Sequence, residues 1–325
     1  MIKAALEGRA ALLADVGGTN ARFALLTDGK LGAITHMAVN DYATFQEALA
    51  AYLGASAKAE RPAYAILAAS GAVENGRCAL TNNSWIVDAE ELRGTHGFSI
   101  VRLINDFEAV AWALPRLGPR SVLQLGGRQQ VPGAPLAAIG PGTGLGMAVS
   151  IPRPGGEIVL ASEGGHATMA GGSLREDAVI EHLRRRFGHV SAERALSGAG
   201  LENLYDALAS IDGATPPKRR AADITRAGIE GTCPTSRATI GMFCAMLGSV
   251  AGNLALALNA RGGIFIGGGI LRHIPEYLAA SEFRRRFEEK GRLRRFLEPI
   301  PAYLILDDDV AFVGLRNLME VEGIG

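Results

Sequence analysis

The fifteen residues from Leu12 to Leu26, LLADVGGTNARFALL, constrain this chain more than any other stretch. Two apolar runs flank Asp15, Gly17, Gly18, Thr19 and Asn20, the pattern of a strand, a tight glycine turn and a returning strand. Paired glycines leave no Cβ to hold a ligand away. Backbone N–H groups and the Thr19 hydroxyl can therefore close on an anion such as phosphate, with Asp15 facing a metal ion or its water shell. Taken alone, the stretch is equally an ordinary hairpin turn, and the later glycine loops must separate the two readings.

A chain of 325 residues exceeds what one core normally organises, so two domains are expected. Hydrophobic residues at 48% against 20% charged residues describe a globular chain with a large core. Lys plus Arg and Asp plus Glu both total 33, which offers nucleic acid or an anionic membrane no overall attraction. The three cysteines, Cys78, Cys233 and Cys244, form no close pair and fit neither a disulfide framework nor a zinc site. With no export signal in MIKAALEGRAALLADV, a cytoplasmic setting is expected. The apolar run from Ile240 to Leu258 approaches membrane-spanning length, but Gly241, Gly248 and Asn253 suit a packed core helix.

Strands and helices alternate along the chain. Leu31 to Val39 reads as a third strand, and Thr44-Phe-Gln-Glu47 as a capping box for a helix through Leu53. Tyr64 to Ala69 is a buried strand, followed by turns at Gly71 and Gly76 and a small strand into Thr81-Asn82-Asn83. Asp88 caps a helix; Ser99 to Ile104 is a strand ending at Asn105-Asp106, before a helix from Phe107 to Leu114. A polar pair at the carboxyl end of a strand is where open α/β sheets place ligands. Leu136 to Ile139, a glycine loop and Met147 to Ile151 faintly echo the opening hairpin. Ser173 caps a helix to Phe187, more helices follow to Leu258, and strands at Gly263 to Ile266 and Ala302 to Leu306 precede a closing helix, Ala311 to Met319.

Three glycine loops follow strands: Asp15 to Asn20, Gly140-Pro-Gly-Thr-Gly-Leu-Gly146, and Gly267 to Gly269. Ordinary turns need at most one glycine, so the set points to ligand contact. The Gly29-Lys30 pair is followed by leucine, which excludes a Walker A loop, and the alternating glycines from Gly140 to Gly146 do not meet GxGxxG spacing. What remains is phosphate cradling without lysine, assisted by magnesium.

The stretches DVGGTNAR, INDFEAVAWALP, IGPGTGLG, EGGH, HVSAERALSGAGLENLY and GGIFIGGGI, in this order, resemble those of the bacterial glucokinases, within the actin, hexokinase and heat-shock-chaperone ATPase superfamily. The resemblance covers nearly the whole chain. It implies a two-lobed α/β actin-like (ribonuclease H-like) fold with a cleft, a small domain of residues 1–114 plus 308–325 and a large domain of residues 115–307. It also implies ATP-dependent phosphorylation of glucose at its 6-hydroxyl, the first step of glycolysis, by a cytoplasmic homodimer without nucleic-acid or membrane partners. A kinase for another hexose or N-acetylhexosamine, or a sensor on the same fold, is the alternative.

By this resemblance the nucleotide is held at Ala14, Asp15, Val16, Gly17, Gly18, Thr19 and Asn20, at Gly142, Thr143 and Gly144, and near Gly268 and Gly269, with Asp15 orienting hydrated magnesium. Asp106 matches the catalytic base, and Asn105, Glu163, His166 and Glu193 match the sugar contacts. The residues alone leave other roles open: a helix N-cap for Asp106, a structural histidine for His166, a solvated helix position for Glu193 and a structural turn acceptor for Asp15. Arg184 to Arg186, Arg284 to Arg286 and Arg292 to Arg295 read as solvated faces or an oligomer rim. Thr168 stands where the family usually has aspartate, Ala69-Ser70-Gly71 lacks the usual proline, and Asp309-Val310-Ala311-Phe312-Val313-Gly314 replaces a Pro-Gly-Leu-Leu-Gly run.

Overall fold

The computed structural model describes residues 10–55, 61–81 and 83–323; the charged start of the chain and Asn82 lie outside them. The described residues form two compact units. The first comprises those within Met1–Arg116, Arg153–Val159 and Asp308–Gly325, and the second Leu117–Pro152 and Leu160–Asp307.

In the first unit, β1 (Ala11–Val16) and β2 (Asn20–Thr27) form the antiparallel hairpin that the opening stretch predicts. The expected third strand is two pieces, β3 (Lys30–Leu31) and β4 (Thr35–Ala38), both paired with β2. Leu31 lies opposite Leu26 and Thr35 opposite Phe23, so the new strand carries one residue more than its partner and bulges between them. Helix α1 (Phe45–Ala55) opens with the capping box: the Glu47 amide donates to the Thr44 hydroxyl, and the Glu47 carboxylate accepts from the Ala43 amide.

Next comes β5 (Tyr64–Ala69), then a small antiparallel sheet of β6 (Val73–Glu74), β7 (Arg77–Ala79) and β8 (Ile86–Asp88), helix α2 (Ala89–His96) capped by Asp88, strand β9 (Ile100–Asn105) and helix α3 (Asp106–Ala113). The main sheet runs β3-β2-β1-β5-β9, with β1, β5 and β9 mutually parallel. β5 is buried throughout: Ala65, Leu67 and Ala69 enter one core, while Tyr64, Ile66 and Ala68 enter another on the opposite face. The second face is covered by α3 and the closing helix, Val310–Glu322. These two helices approach so closely that a Cβ at Gly314 would overlap the Ala109 carbonyl oxygen.

A second sheet holds β10 (Val122–Gly126), β11 (Leu136–Pro141), β12 (Leu145–Arg153), β13 (Gly156–Ser162), β14 (Gly263–Ile266) and β15 (Ala302–Ile305), in the order β10-β15-β14-β11-β12-β13; Arg153 and Gly156–Val159 of it fall in the first unit and the rest in the second. The faint echo in the sequence is real. β12-β11-β14-β15 repeats the β2-β1-β5-β9 arrangement, an antiparallel hairpin followed by two parallel neighbours. Helices α4 (Leu174–Phe187), α5 (Gly198–Ile211), α6 (Ala221–Ile229) and α7 (Pro234–Leu258) follow, with short helices α8 (Gly269–Arg272), α9 (Pro275–Ala280), α10 (Phe283–Glu288) and α11 (Arg294–Leu297) later. α7 is long and apolar enough to cross a membrane by length and composition; Ile240, Phe243, Leu247 and Ala251 bury into the core of this unit.

Two of the clustered arginines are not solvated. Arg286, 7% exposed, pairs with Glu176, 4% exposed, and donates to Ser249. Arg284 donates to Glu288 and to the carbonyls of Ile300, Leu297 and Glu298. Arg286 reaches Glu176 and Ser249 from other helices, and Arg284, besides Glu288 one turn on, reaches carbonyls beyond its own helix, so helical spacing alone could not reveal their burial.

Substituting Gly314→Ala is expected to lower the unfolding free energy by about 1–3 kcal/mol through overpacking of α3 against the closing helix. A urea-unfolding midpoint equal to that of the parent protein would refute the close contact.

Candidate active site

In the first unit, register places Asp15 directly opposite Arg22 across β1 and β2. Arg22 Nε donates to Asp15 Oδ2 at 3.0 Å, and its Nη2 donates to the same oxygen. The remaining amine reaches the Asp308 carbonyl at 2.6 Å and Asp309 Oδ1 at 3.3 Å, with the guanidinium over the Phe312 ring. Asp15 is thus held by a cation rather than by the turn amides, the partner expected of a purely structural aspartate. The turn closes through Gly17 N–H to Asn20 O at 3.0 Å; Ala14 and Val16 bury their side chains, while Thr19 and Asn20 are exposed. Only the backbone of Ala14 and Val16 can serve a ligand.

β9 ends in Asn105, and Asn105, not Asp106, is the N-cap of α3. Its Oδ1 accepts from the amides of Phe107 at 2.8 Å and Glu108 at 3.3 Å, and its Nδ2 donates to Gly71 O at 2.9 Å. Asp106 therefore occupies the first helical turn with its carboxylate uncommitted to capping the third residue. It accepts from the Phe107 amide at 2.9 Å and from the Ser70 hydroxyl. Burial first, then the negative charge of Asp15, pushes the Asp106 carboxyl up to about 6, against the partial offset of those two donors and of its own backbone amide. Ser70, within the Ala69-Ser70-Gly71 stretch that lacks the usual proline, is thus a neighbour of this carboxylate that sequence reasoning left without a role.

In the second unit, the loop between β11 and β12 is braced at both ends. Gly142 O accepts from Gly198 N–H at 2.9 Å, and Glu193 Oε2 accepts from Leu145 N–H at 3.0 Å. Glu193 is half-buried beside Gly144, not a solvated helix residue. Glu163 and His166 flank a short turn, 3.8 Å apart and largely exposed. That turn reaches Glu193 through a backbone bridge: Met169 N–H donates to Val190 O and Ala192 N–H to Ala167 O, both at 2.9 Å. Thr168 contributes Oγ1, 3.1 Å from His189 Nε2. Glu163, His166 and Glu193 are therefore tied to the same glycine loop.

The third glycine loop packs onto the foot of the second. Gly268 has φ 100°, and a Cβ there would collide with the Pro141 carbonyl, so no other residue fits. Gly142, Thr143 and Gly269 line one cavity of about 910 Å3, completed by Gly198, Ala199 and Glu202 of α5, Thr225 and Ile229 of α6, and Ile270 and Ile274. This volume suits a nucleotide. The α5 and α6 residues escaped sequence reasoning, although Glu202 lies within the quoted GAGLENLY stretch.

Among the described residues no group of three His, Cys, Asp or Glu side chains could hold a metal ion. Asp15 alone remains, with Oδ2 taken by Arg22 and Oδ1 available. One carboxylate suits Mg²⁺, which arrives on phosphate and keeps several waters, and would not suit a cation needing a protein cage.

The Glucokinase family model matches residues 12–321. A glucokinase from Nitrobacter hamburgensis is 43% identical over 307 residues, covering 94% of this chain and 96% of its own. One from Chromobacterium violaceum is 45% identical over 305 residues, covering 94% of this chain and 87% of its own. The solved structure of a glucokinase from an Antarctic psychrotroph matches with a TM-score of 0.86 at 35% identity, over 96% of this chain and 98% of that one.

The Asp106 carboxyl has a stability consequence. Between its ordinary 3.8 and its native value of about 6, the folded chain binds a proton that the unfolded chain has released. Its contribution is complete below the lower value and is lost as pH rises through the upper. Asp106→Asn is therefore expected to melt at a higher temperature than the parent at roughly pH 7.5, with the gap closing toward about pH 4. A gap independent of pH would overturn burial as the cause.

Proposed function

This chain belongs to the glucokinase family, and on that premise we propose how its residues carry the ATP-dependent phosphorylation of glucose at the 6-hydroxyl, with release of ADP. The observation that carries the assignment is the Asp106 carboxylate, relieved of capping by Asn105 and held between the Phe107 amide and Ser70. Ionised at neutral pH yet more basic than a free aspartate, it orients the sugar hydroxyl and accepts its proton as the bond to phosphorus forms.

The Gly17–Asn20 and Gly142–Gly144 turns supply backbone N–H groups for the phosphates, and the cavity beside Gly269 takes the adenosine. Asp15 Oδ1 would hold Mg²⁺ through its water shell; the ion, when bound, neutralises charge on the phosphates. Asn105 keeps one N–H free of its capping and Gly71 bonds, and with Glu163, His166 and Glu193 it offers the donors and acceptors that a pyranose needs. Residues 1–114 with 308–325 and residues 115–307 are proposed as the two functional domains. A cytoplasmic homodimer completes the reading, supported for its compartment by the three free, buried cysteines.

Purified protein given glucose and Mg-ATP is expected to release ADP and glucose 6-phosphate in equal amounts. Asp106→Asn is expected to lose about 10²- to 10⁴-fold in kcat while still binding glucose, and kcat/KM of the parent should fall about tenfold per pH unit below about 6. Near-normal turnover by the variant would remove Asp106 from the mechanism. Glu163→Ala and His166→Ala should each raise the glucose KM about tenfold or more with little change in the ATP KM; equal changes in both constants would contradict their role.

A further inference from the structure

Two carboxylates, Glu202 and Glu230, line the nucleotide cavity of the second unit, and the position of Glu202 along its helix is informative. α5 starts at Gly198, whose amide donates to Gly142 O in the phosphate loop, so the helix start abuts that loop. Gly198, Ala199 and Glu202 all line the cavity. Three and four residues apart, they share one helix face, and Glu202 lies about 5–6 Å further along the axis. One helical turn is the spacing that separates a nucleotide's innermost phosphate from its sugar hydroxyls. The same cavity offers apolar surface for a flat base at Ile229, Ile270 and Ile274, beside the polar Arg226, Glu230 and His273.

Glu202 is also held in place. Its Oε1 accepts from the Ala221 amide at 3.2 Å, the first N–H of α6, and lies 3.6 Å from Arg220 Nε. These contacts satisfy a helix-end donor and offset the carboxylate's charge near bound phosphate. Among the described residues, Oε2 has no protein partner. A carboxylate oxygen only accepts hydrogen bonds, so the ligand group that fits must donate.

We propose that Glu202 recognises the ribose of the bound nucleotide, accepting hydrogen bonds from its 2′- and 3′-hydroxyls, and thereby makes the site select ribonucleotides over deoxyribonucleotides. The proposal rests on the cavity being the ATP site. A sugar lacking a hydroxyl leaves the fixed carboxylate oxygen without its donor, which is a larger penalty than the loss of an exposed contact.

Calorimetric titration with ADP, 2′-deoxy-ADP and 3′-deoxy-ADP tests this without turnover. The parent protein is expected to bind ADP about tenfold more tightly than either deoxy form. Glu202→Ala should weaken ADP about tenfold and leave the deoxy forms nearly unchanged, so that the ratio approaches one. Glu202→Gln, which retains an acceptor for the Ala221 amide, guards against a folding defect and should also narrow the ratio at an unchanged melting temperature. Equal affinity of the parent for all three nucleotides, or equal weakening of all three in both variants, would overturn the role of Glu202 while leaving the cavity as the ATP site. Failure of the parent to bind ADP at all would overturn both.

Discussion

The side chain of Asn105 is engaged at both polar ends by backbone: two α3 amides donate to its oxygen, and its nitrogen donates to Gly71 O. The arrangement around Asp106 follows from it. A helix start presents orphan N–H groups that some acceptor must satisfy, and an adjacent aspartate would ordinarily be drawn into that task. Because the amide does it, the carboxylate next in sequence stays at the helix mouth. The same amide links β9 to Gly71, the second residue after β5, so the cap also fixes α3 against the sheet. On its far side α3 is locked by the absence of a Cβ at Gly314, which sets how near the closing helix can come. A weak acid placed by two rigid contacts and half-buried has the basicity that burial imposes, which an exposed aspartate on a loop would lack.

The two units repeat one device. In each, an antiparallel hairpin ends in a glycine turn and lies beside two parallel strands. The hairpin ladder anchors the turn residues on both sides, and each turn closes on itself, Gly17 N–H to Asn20 O and Gly142 N–H to Gly144 O. The first turn is stiffened by Arg22, which neutralises Asp15 and ties it to the start of the closing helix. The second is stiffened by Glu193 and by the start of α5.

Much of this was legible beforehand. Thr44, Asp88 and Ser173 each cap the helix that their spacing announces, since capping is decided within four residues. The buried strands at Tyr64 and Gly263 stand out as short apolar runs. The break between β3 and β4 did not, because a bulge is set by the partner strand. Nor did the burial of Arg284 and Arg286, which depends on partners outside their own helix. At the site, Asp15 and Asp106 were identified by type and motif, but Arg22, Ser70 and Glu202 acquire meaning only from what folding puts beside them.

The sequence by itself determined the family, through an ordered set of glycine-rich and acidic motifs, and with it the strand–turn–strand units and the residue types available for phosphoryl transfer. Periodicity, caps and paired glycines are local signals, readable because the forces behind them act within a few residues. The tertiary structure decided which of Asn105 and Asp106 caps the helix, which cation holds Asp15, and which helices wall the cavity beside Gly142 and Gly269. Those outcomes depend on groups brought together from opposite parts of the chain, where burial and hydrogen-bond competition exist only once the cores have formed.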